Sequence, residues 1–410
     1  MMGLRRISNV SALALLLVAA CETVDPDVAG PAPSQDSPAP GDTSGEAAGP
    51  SPGPSTVAEK LADTGVKATI AKRALFDPAS TACFPRQTQP SSAIVDGLVY
   101  PRPLAGPGQP LSKTADMLSR AGILFAALSG TGRSADAERS CDDPQACDAL
   151  PAPRVLKHDF ANAADLVGGA AGDLTVTPAM AFGDLTRPQT IPARLGLLET
   201  EYPGLFKALG PLDLANGVLL PRGVEPVAPD AIIQWAPFME ALRDRSLPLL
   251  LTADLGTDEA PTVFLPLLEE VLTRYPDNRI VWVGLGLSDA LTTFDPADHV
   301  ALVSALMTRH RNLYGLLTGS GLFAVGFSDP EPRALYLDFM GRFAERLVPA
   351  TGFTASAGAD IADYRRRLMR WAEVFMDLDD EAFRAIALGG TYFTLFGLPN
   401  RAPKVCTQTL

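Results

Sequence analysis

The sequence predicts an α/β fold, a (β/α)8 barrel (TIM barrel) over residues 58–410, and three observations lead there. Short apolar runs alternate with helical patterns along the chain. The runs are continuously apolar rather than alternating, as expected of parallel strands covered on both faces. No glycine-rich phosphate loop follows the first run, which argues against a dinucleotide-binding doubly wound sheet. About 350 residues is an ordinary size for one such barrel with insertions.

Ahead of the barrel, the chain opens MMGLRRISNVSALALLLVAAC. Arg5 and Arg6 form a basic start, and Ala12 to Ala20 is an apolar run too short to span a bilayer comfortably. This pattern reads as a secretory signal over residues 1–20. Val18-Ala19-Ala20-Cys21 resembles a bacterial lipobox, in which the thiol of Cys21 takes a diacylglyceryl group. Several acyl chains on one residue anchor stably, whereas a single chain holds only marginally. Glu22 rather than Asp follows the cysteine, and by resemblance to enterobacterial sorting this points to the outer membrane.

Residues 21–57 carry the anchor cysteine and then a linker of mostly Pro, Gly, Ala, Ser and acid. Between 22 and 57 there is no Leu, Ile, Phe, Trp or Tyr, so ordering entropy has nothing to oppose it. Its proline content makes it a semi-rigid spacer, and its six acids without a base repel it from anionic surfaces.

Within the barrel the expected strands are 93–100, 123–128, 174–180, 217–220, 248–252, 279–283, 313–317 and 346–351. Helical patterns fall at 231–245, 264–275, 296–310, 335–346 and 361–378. The last is the clearest. Ile361, Tyr364, Leu368, Trp371, Phe375 and Leu378 form an apolar stripe under Arg365, Arg366 and Arg367. A net charge of −13 without a basic patch excludes a nucleic-acid partner. After Cys21 four cysteines remain, and an even number in an oxidising compartment favours disulfides. Cys141 with Cys147 and Cys83 with Cys406 is one of three possible pairings.

The segments Trp235–Leu251, Phe264–Gly284, Arg309–Gly315 and Asp380–Leu398 resemble successive units of the amidohydrolase-related (amidohydrolase 2) family. The resemblance runs over about residues 90–400. It implies a divalent metal at the mouth of the barrel, which makes hydroxide from bound water and polarises the substrate. It also implies ligands from an H-x-H on strand one, a His after strand five, often a His after strand six, and an Asp after strand eight. Here those positions hold Leu98 and Tyr100, Thr252, Gly284 and Gly352. Neither Leu nor Gly offers a side-chain donor. The three histidines, His158, His299 and His310, are dispersed and read as surface or capping residues.

No cofactor is therefore expected. Polar residues that remain for the mouth include Asp96, Tyr100, Arg102, Ser129, Thr131, Arg222, Thr252, Asp254, Thr318 and Thr351. Asp254 and Asp96 are the candidates for acid–base work, with Asp254 read more readily as a turn acid for Gly256-Thr257-Asp258. Tyr100, Arg222, Thr252 and Thr318 are candidates for holding a ligand. Three functions are then open. One is a lipid-anchored binding or assembly protein on a barrel without its metal. Another is a hydrolase or lyase of the family with a rebuilt oxygen-ligand site. The third is a sugar-processing barrel, which requires two mouth carboxylates about 5 to 9 Å apart.

Overall fold

A computed structural model describes residues 73–90, 92–103, 108–130 and 154–407. Cys21, the linker, Thr131, Cys141 and Cys147 lie outside the described residues, as does the side chain of Arg222.

The strands are β1 Val95–Tyr100, β2 Phe125–Ser129, β3 Thr175–Met180, β4 Ala208–Ala215, β5 Leu249–Ala253, β6 Ile280–Val283, β7 Leu313–Leu317, β8 Leu347–Pro349 and β9 Phe353–Thr354. They form one parallel sheet in the order β8-β7-β6-β5-β4-β3-β2-β1-β9. β9 follows β8 after three residues and pairs with β1, Val99 opposite Phe353. The two short pieces are thus one interrupted eighth strand, β8 on β7 and β9 on β1, and the sheet closes into a barrel. Between them the Gly352 N–H donates to the Leu98 carbonyl at 3.1 Å, which continues the seam across the break.

The helices are α1 Leu111–Arg120, α2 Arg154–Val167, α3 Ile191–Glu201, α4 Pro229–Ile233, α5 Ala236–Asp244, α6 Leu265–Arg274, α7 Pro296–Arg309, α8 Ser320–Gly326, α9 Pro330–Phe343, α10 Ile361–Met376, α11 Asp380–Ile386 and α12 Gly390–Leu395. In α10 the apolar stripe lies inward, with Tyr364, Leu368, Trp371 and Phe375 all buried. Asp360 begins that helix by accepting the Asp363 N–H, the arrangement that satisfies an otherwise unpartnered first-turn donor. Among the described residues no helix is long and apolar enough to cross a membrane.

The fourth strand corrects the sequence reading. Gly217–Leu220 is not a strand but part of a 3₁₀ turn over Gly217–Arg222, and β4 precedes it at Ala208–Ala215. Pro211 in the middle of that segment argues against a strand, because proline cannot donate to a ladder. The chain accommodates it in a register shift between Leu209 and Leu212, which removes the need for the missing N–H. Gly210 is needed beside it, since a Cβ there would lie 2.2 Å from the Leu250 carbonyl oxygen. The single helix expected over 231–245 is two, α4 and α5, broken at Gln234 and Trp235.

The N-terminal ends of the strands are plugged by both ends of the described chain. Phe76, Phe125 and Phe393 pack edge to face, with Phe125 and Phe393 4.7 Å apart. Phe84 bridges to Val405, and Cys83 and Cys406 form a disulfide with Cα atoms 4.9 Å apart. Arg86 donates to the Asp380 carboxylate at 2.6 Å while its guanidinium lies over the Phe383 ring. With that end filled, the loops after each strand are left to shape the other end, where barrels of this kind carry their sites.

Candidate functional site

Five mouth positions are set by the ends of β1, β5, β6 and the interrupted eighth strand. Leu98 is buried and its carbonyl is taken by Gly352. Gly284 has φ +70° and Gly352 has φ +58°, both in the left-handed region where a side chain is strained. A Cβ on Gly352 would also come within 2.8 Å of Thr318 Oγ1, and one on Gly284 within 3.4 Å of the Thr318 carbonyl oxygen. Thr318, at the end of β7 and itself buried, fills the space between the two glycines. Thr252 is half-buried on β5, in register with Asp213 of β4 and Val283 of β6.

Tyr100 ends β1 and is half-buried. Burial raises the pKa of its phenol, and the negative charge of Asp213 raises it further. β1 and β4 are separated by β2 and β3 in the sheet. Asp213 was not among the expected residues, because it sits on the strand that the sequence reading displaced. The pattern Leu212-Asp213-Leu214, an acid between two strand leucines, was the signal available. Asn216 donates to it at 3.1 Å.

The two candidate carboxylates are each occupied. Asp96 is 1% exposed and accepts from the Thr351 N–H at 2.9 Å, the Thr351 hydroxyl at 2.6 Å, the Tyr364 hydroxyl at 2.9 Å and the Leu98 N–H at 3.2 Å. Four donors exhaust its lone pairs. Burial raises its pKa, against those same hydrogen bonds. Asp254 accepts from the Gly217 N–H at 2.7 Å and from Ser288, joining the loops after β4, β5 and β6. It therefore anchors the preceding loop, not the Gly256-Thr257-Asp258 segment. Asp159 on α2 does the same for β3, accepting from the Ala181 and Phe182 N–H groups at 2.9 and 3.0 Å. Burial holds Asp159 well above the usual carboxylate range. All three carboxylates brace loops.

The remaining candidates turn elsewhere. Arg102 donates to Asn162 at 2.9 Å and pairs with Asp165, both on α2. Ser129 donates to the Gly210 carbonyl at 2.6 Å. Arg222 closes the 3₁₀ turn after β4. His299 overturns its expectation as a surface residue. It is fully buried in α7, its Nε2 2.9 Å from the Leu285 carbonyl and its Nδ1 2.5 Å from the Tyr336 hydroxyl. Burial lowers its pKa to about 4, so it packs as neutral imidazole. His158 lies on α2 and His310 follows α7. Among the described residues no three or more His, Cys, Asp or Glu gather where a metal ion could be held.

Asp254 has a measurable titration. Burial, with a smaller push from Asp289, raises its pKa to about 6, against an unfolded value of 3.8. Between those values the folded chain binds the extra proton, so this group adds stability as pH falls from about 7 to about 4. The shift corresponds to about 3 kcal/mol. Asp254→Asn removes the titration. In urea unfolding, the stability difference between the two proteins should therefore move in the wild type's favour by about 2–3 kcal/mol from about pH 7 to about pH 4. An unchanged difference would mean that the carboxylate is better solvated than its 4% exposure implies.

No protein-family model matches the chain, and no curated protein matches it either. Solved structures do align with it. A dihydroorotase from Campylobacter jejuni is 15% identical over 75% of this chain and 84% of its own, with a TM-score of 0.43. An amidohydrolase from Burkholderia multivorans with bound zinc is 14% identical over 75% of this chain and 100% of its own, with a TM-score of 0.45. The catalytic domain of a chitinase from Pyrococcus furiosus is 11% identical over 70% of this chain and 98% of its own, with a TM-score of 0.35.

Proposed function

We propose that this protein is a lipid-anchored binding protein, exported through its N-terminal signal and held to a bacterial membrane by Cys21. Its amidohydrolase-like barrel works without a catalytic metal. One observation carries the second part. The positions where the family would place a His after strand six and an Asp after strand eight are left-handed glycines, and Thr318 lies between them. The backbone there is shaped for glycine, so the change is deeper than the loss of two side chains. The polar groups that remain at the strand ends, Tyr100, Asp213, Thr252 and Thr318, are hydrogen-bonding groups suited to holding a ligand. The hydrolase with a rebuilt oxygen-ligand site has less support, because Asp96 and Asp254 are committed to loop backbone.

Both parts are tested on one preparation of the full-length chain. After incubation with zinc, manganese and ferrous iron and removal of the excess, elemental analysis should find well under one metal per chain. One tightly held equivalent would overturn the reading. Growth with a clickable palmitate analogue should label the wild type, and Cys21→Ala should abolish the label and release the protein from membranes. Labelling that survives the substitution would remove the anchor from the proposal.

A further inference from the structure

A concavity lies beside the end of the interrupted eighth strand. It is a cleft of about 500 Å³ between the interrupted eighth strand, the start of α8 and the outer face of α10. Its floor is Thr351, Phe353 and Thr354, with Phe323 of α8 and Trp371 of α10 along the sides. Arg366, Arg367 and Arg370 stand on its rim, one helical turn of α10.

The charges of this rim are only partly balanced. Arg366 is paired with Asp363. Arg367 donates to the Gly352 carbonyl at 3.2 Å and to the Thr351 carbonyl at 3.4 Å, both through Nη1 of its guanidinium fork, and lies 5.9 Å from the centre of the Phe353 ring. Arg370 lies 5.7 Å from the centre of the Phe323 ring. Among the described residues no carboxylate is ion-paired with Arg367 or Arg370. Three guanidiniums against one carboxylate leave the rim positive, in a chain whose net charge is −13. Ser356 adds a hydroxyl at the same wall, where the Ser320 hydroxyl is donated to Asp289. The size lies within the range of small-molecule sites, which join apolar walls to a few convergent polar groups.

We propose that this cleft binds a small organic oxyanion. Its carboxylate or phosphate would meet Arg367 and Arg370, and its ring or apolar body would lie along Phe323 and Phe353. Guanidinium forks match both headgroups in geometry, and a ring beside Phe323 keeps the contact that Arg370 already makes. The site borders the strand-end positions discussed above, because Arg367 donates to the Gly352 carbonyl and Thr351 lines the cleft, but it needs no metal ligand from them. It stands or falls whether or not the barrel mouth takes a metal.

Calorimetric titration of the full-length chain in detergent, in a low-salt buffer free of phosphate, tests this with four probes: phenyl phosphate, benzoate, inorganic phosphate and benzyl alcohol. At least one of the two aryl anions should saturate at one per chain, and the tighter of them names the headgroup. Inorganic phosphate and benzyl alcohol should each bind more weakly, since one lacks the ring and the other the charge. Arg370→Gln should weaken the aryl anion about tenfold or more. Arg370 is exposed and held only by a ring contact, so its thermal midpoint should stay at the wild-type value. Arg367→Gln should weaken binding similarly, and Arg309→Gln on α7, away from the cleft, should not. No saturable binding of either aryl anion would overturn the proposal. So would equal binding of benzyl alcohol, equal binding of inorganic phosphate, or undiminished affinity in both Arg367→Gln and Arg370→Gln.

Discussion

Asp96→Ala is expected to cost about 4 kcal/mol or more, enough to leave much of the chain unfolded near 37 °C. The carboxylate holds four donors from three places: Leu98 on its own strand, Thr351 twice in the break of the eighth strand, and Tyr364 on α10. Alanine leaves all four facing a dry cavity, and each unsatisfied donor costs about 1–3 kcal/mol before relaxation. Asp96→Asn should fall between, because its amide keeps one acceptor oxygen but turns two N–H groups toward donors. Denaturant unfolding followed by far-UV circular dichroism measures both. A loss below about 1 kcal/mol for the alanine variant would show that water replaces the carboxylate, and that the closure does not depend on it.

The paired substitution Cys83→Ser with Cys406→Ser should have an effect of similar size. The bond spans 323 residues of sequence. In the chain-entropy account a crosslink over so long a loop restricts the unfolded ensemble by about 6 kcal/mol. The segments that it joins have other contacts. Phe84 pairs with Val405, Arg401 donates to the Phe76 carbonyl, and Arg86 grips α11. The folded state should therefore keep its shape, with near-wild-type circular dichroism but a much lower urea midpoint. A midpoint within about 1 kcal/mol of wild type would mean that the unfolded chain is already compact enough to bring the two ends together.

Strands buried on both faces were legible as apolar runs, which is why β7 is read directly from Leu313–Leu317 and β1 and β5 nearly so. β4 was not legible. Its Gly210-Pro211 pair carries the local signature of a turn, and only the close approach to Leu250 makes that pair fit a strand. Asp213 disappeared with it. His299 was misread for a related reason. It stands in the first turn of a helix behind Asp295 and Asp298, and the partners that bury it, Leu285 and Tyr336, come from a preceding loop and a later helix. Asp96 and Asp254 stand out in the sequence as acids at strand ends, but that their oxygens are spent on loop amides and hydroxyls is a property of segments meeting in space. The arginines of α10 were read as an exposed face. Their relation to Phe323 and to the eighth strand follows from how the barrel closes, which no local pattern encodes.

The interrupted eighth strand gives the molecule an uneven hoop. Elsewhere neighbouring strands are stitched by regular main-chain ladders, but at residues 350–352 the joint is fastened largely by a carboxylate, a hydroxyl and one glycine amide. Thr351 and Phe353 belong both to this fastening and to the wall of the arginine-rimmed cleft. An occupant that binds better when the joint is closed would hold it shut, and loosening the joint would then weaken that occupant by the same factor.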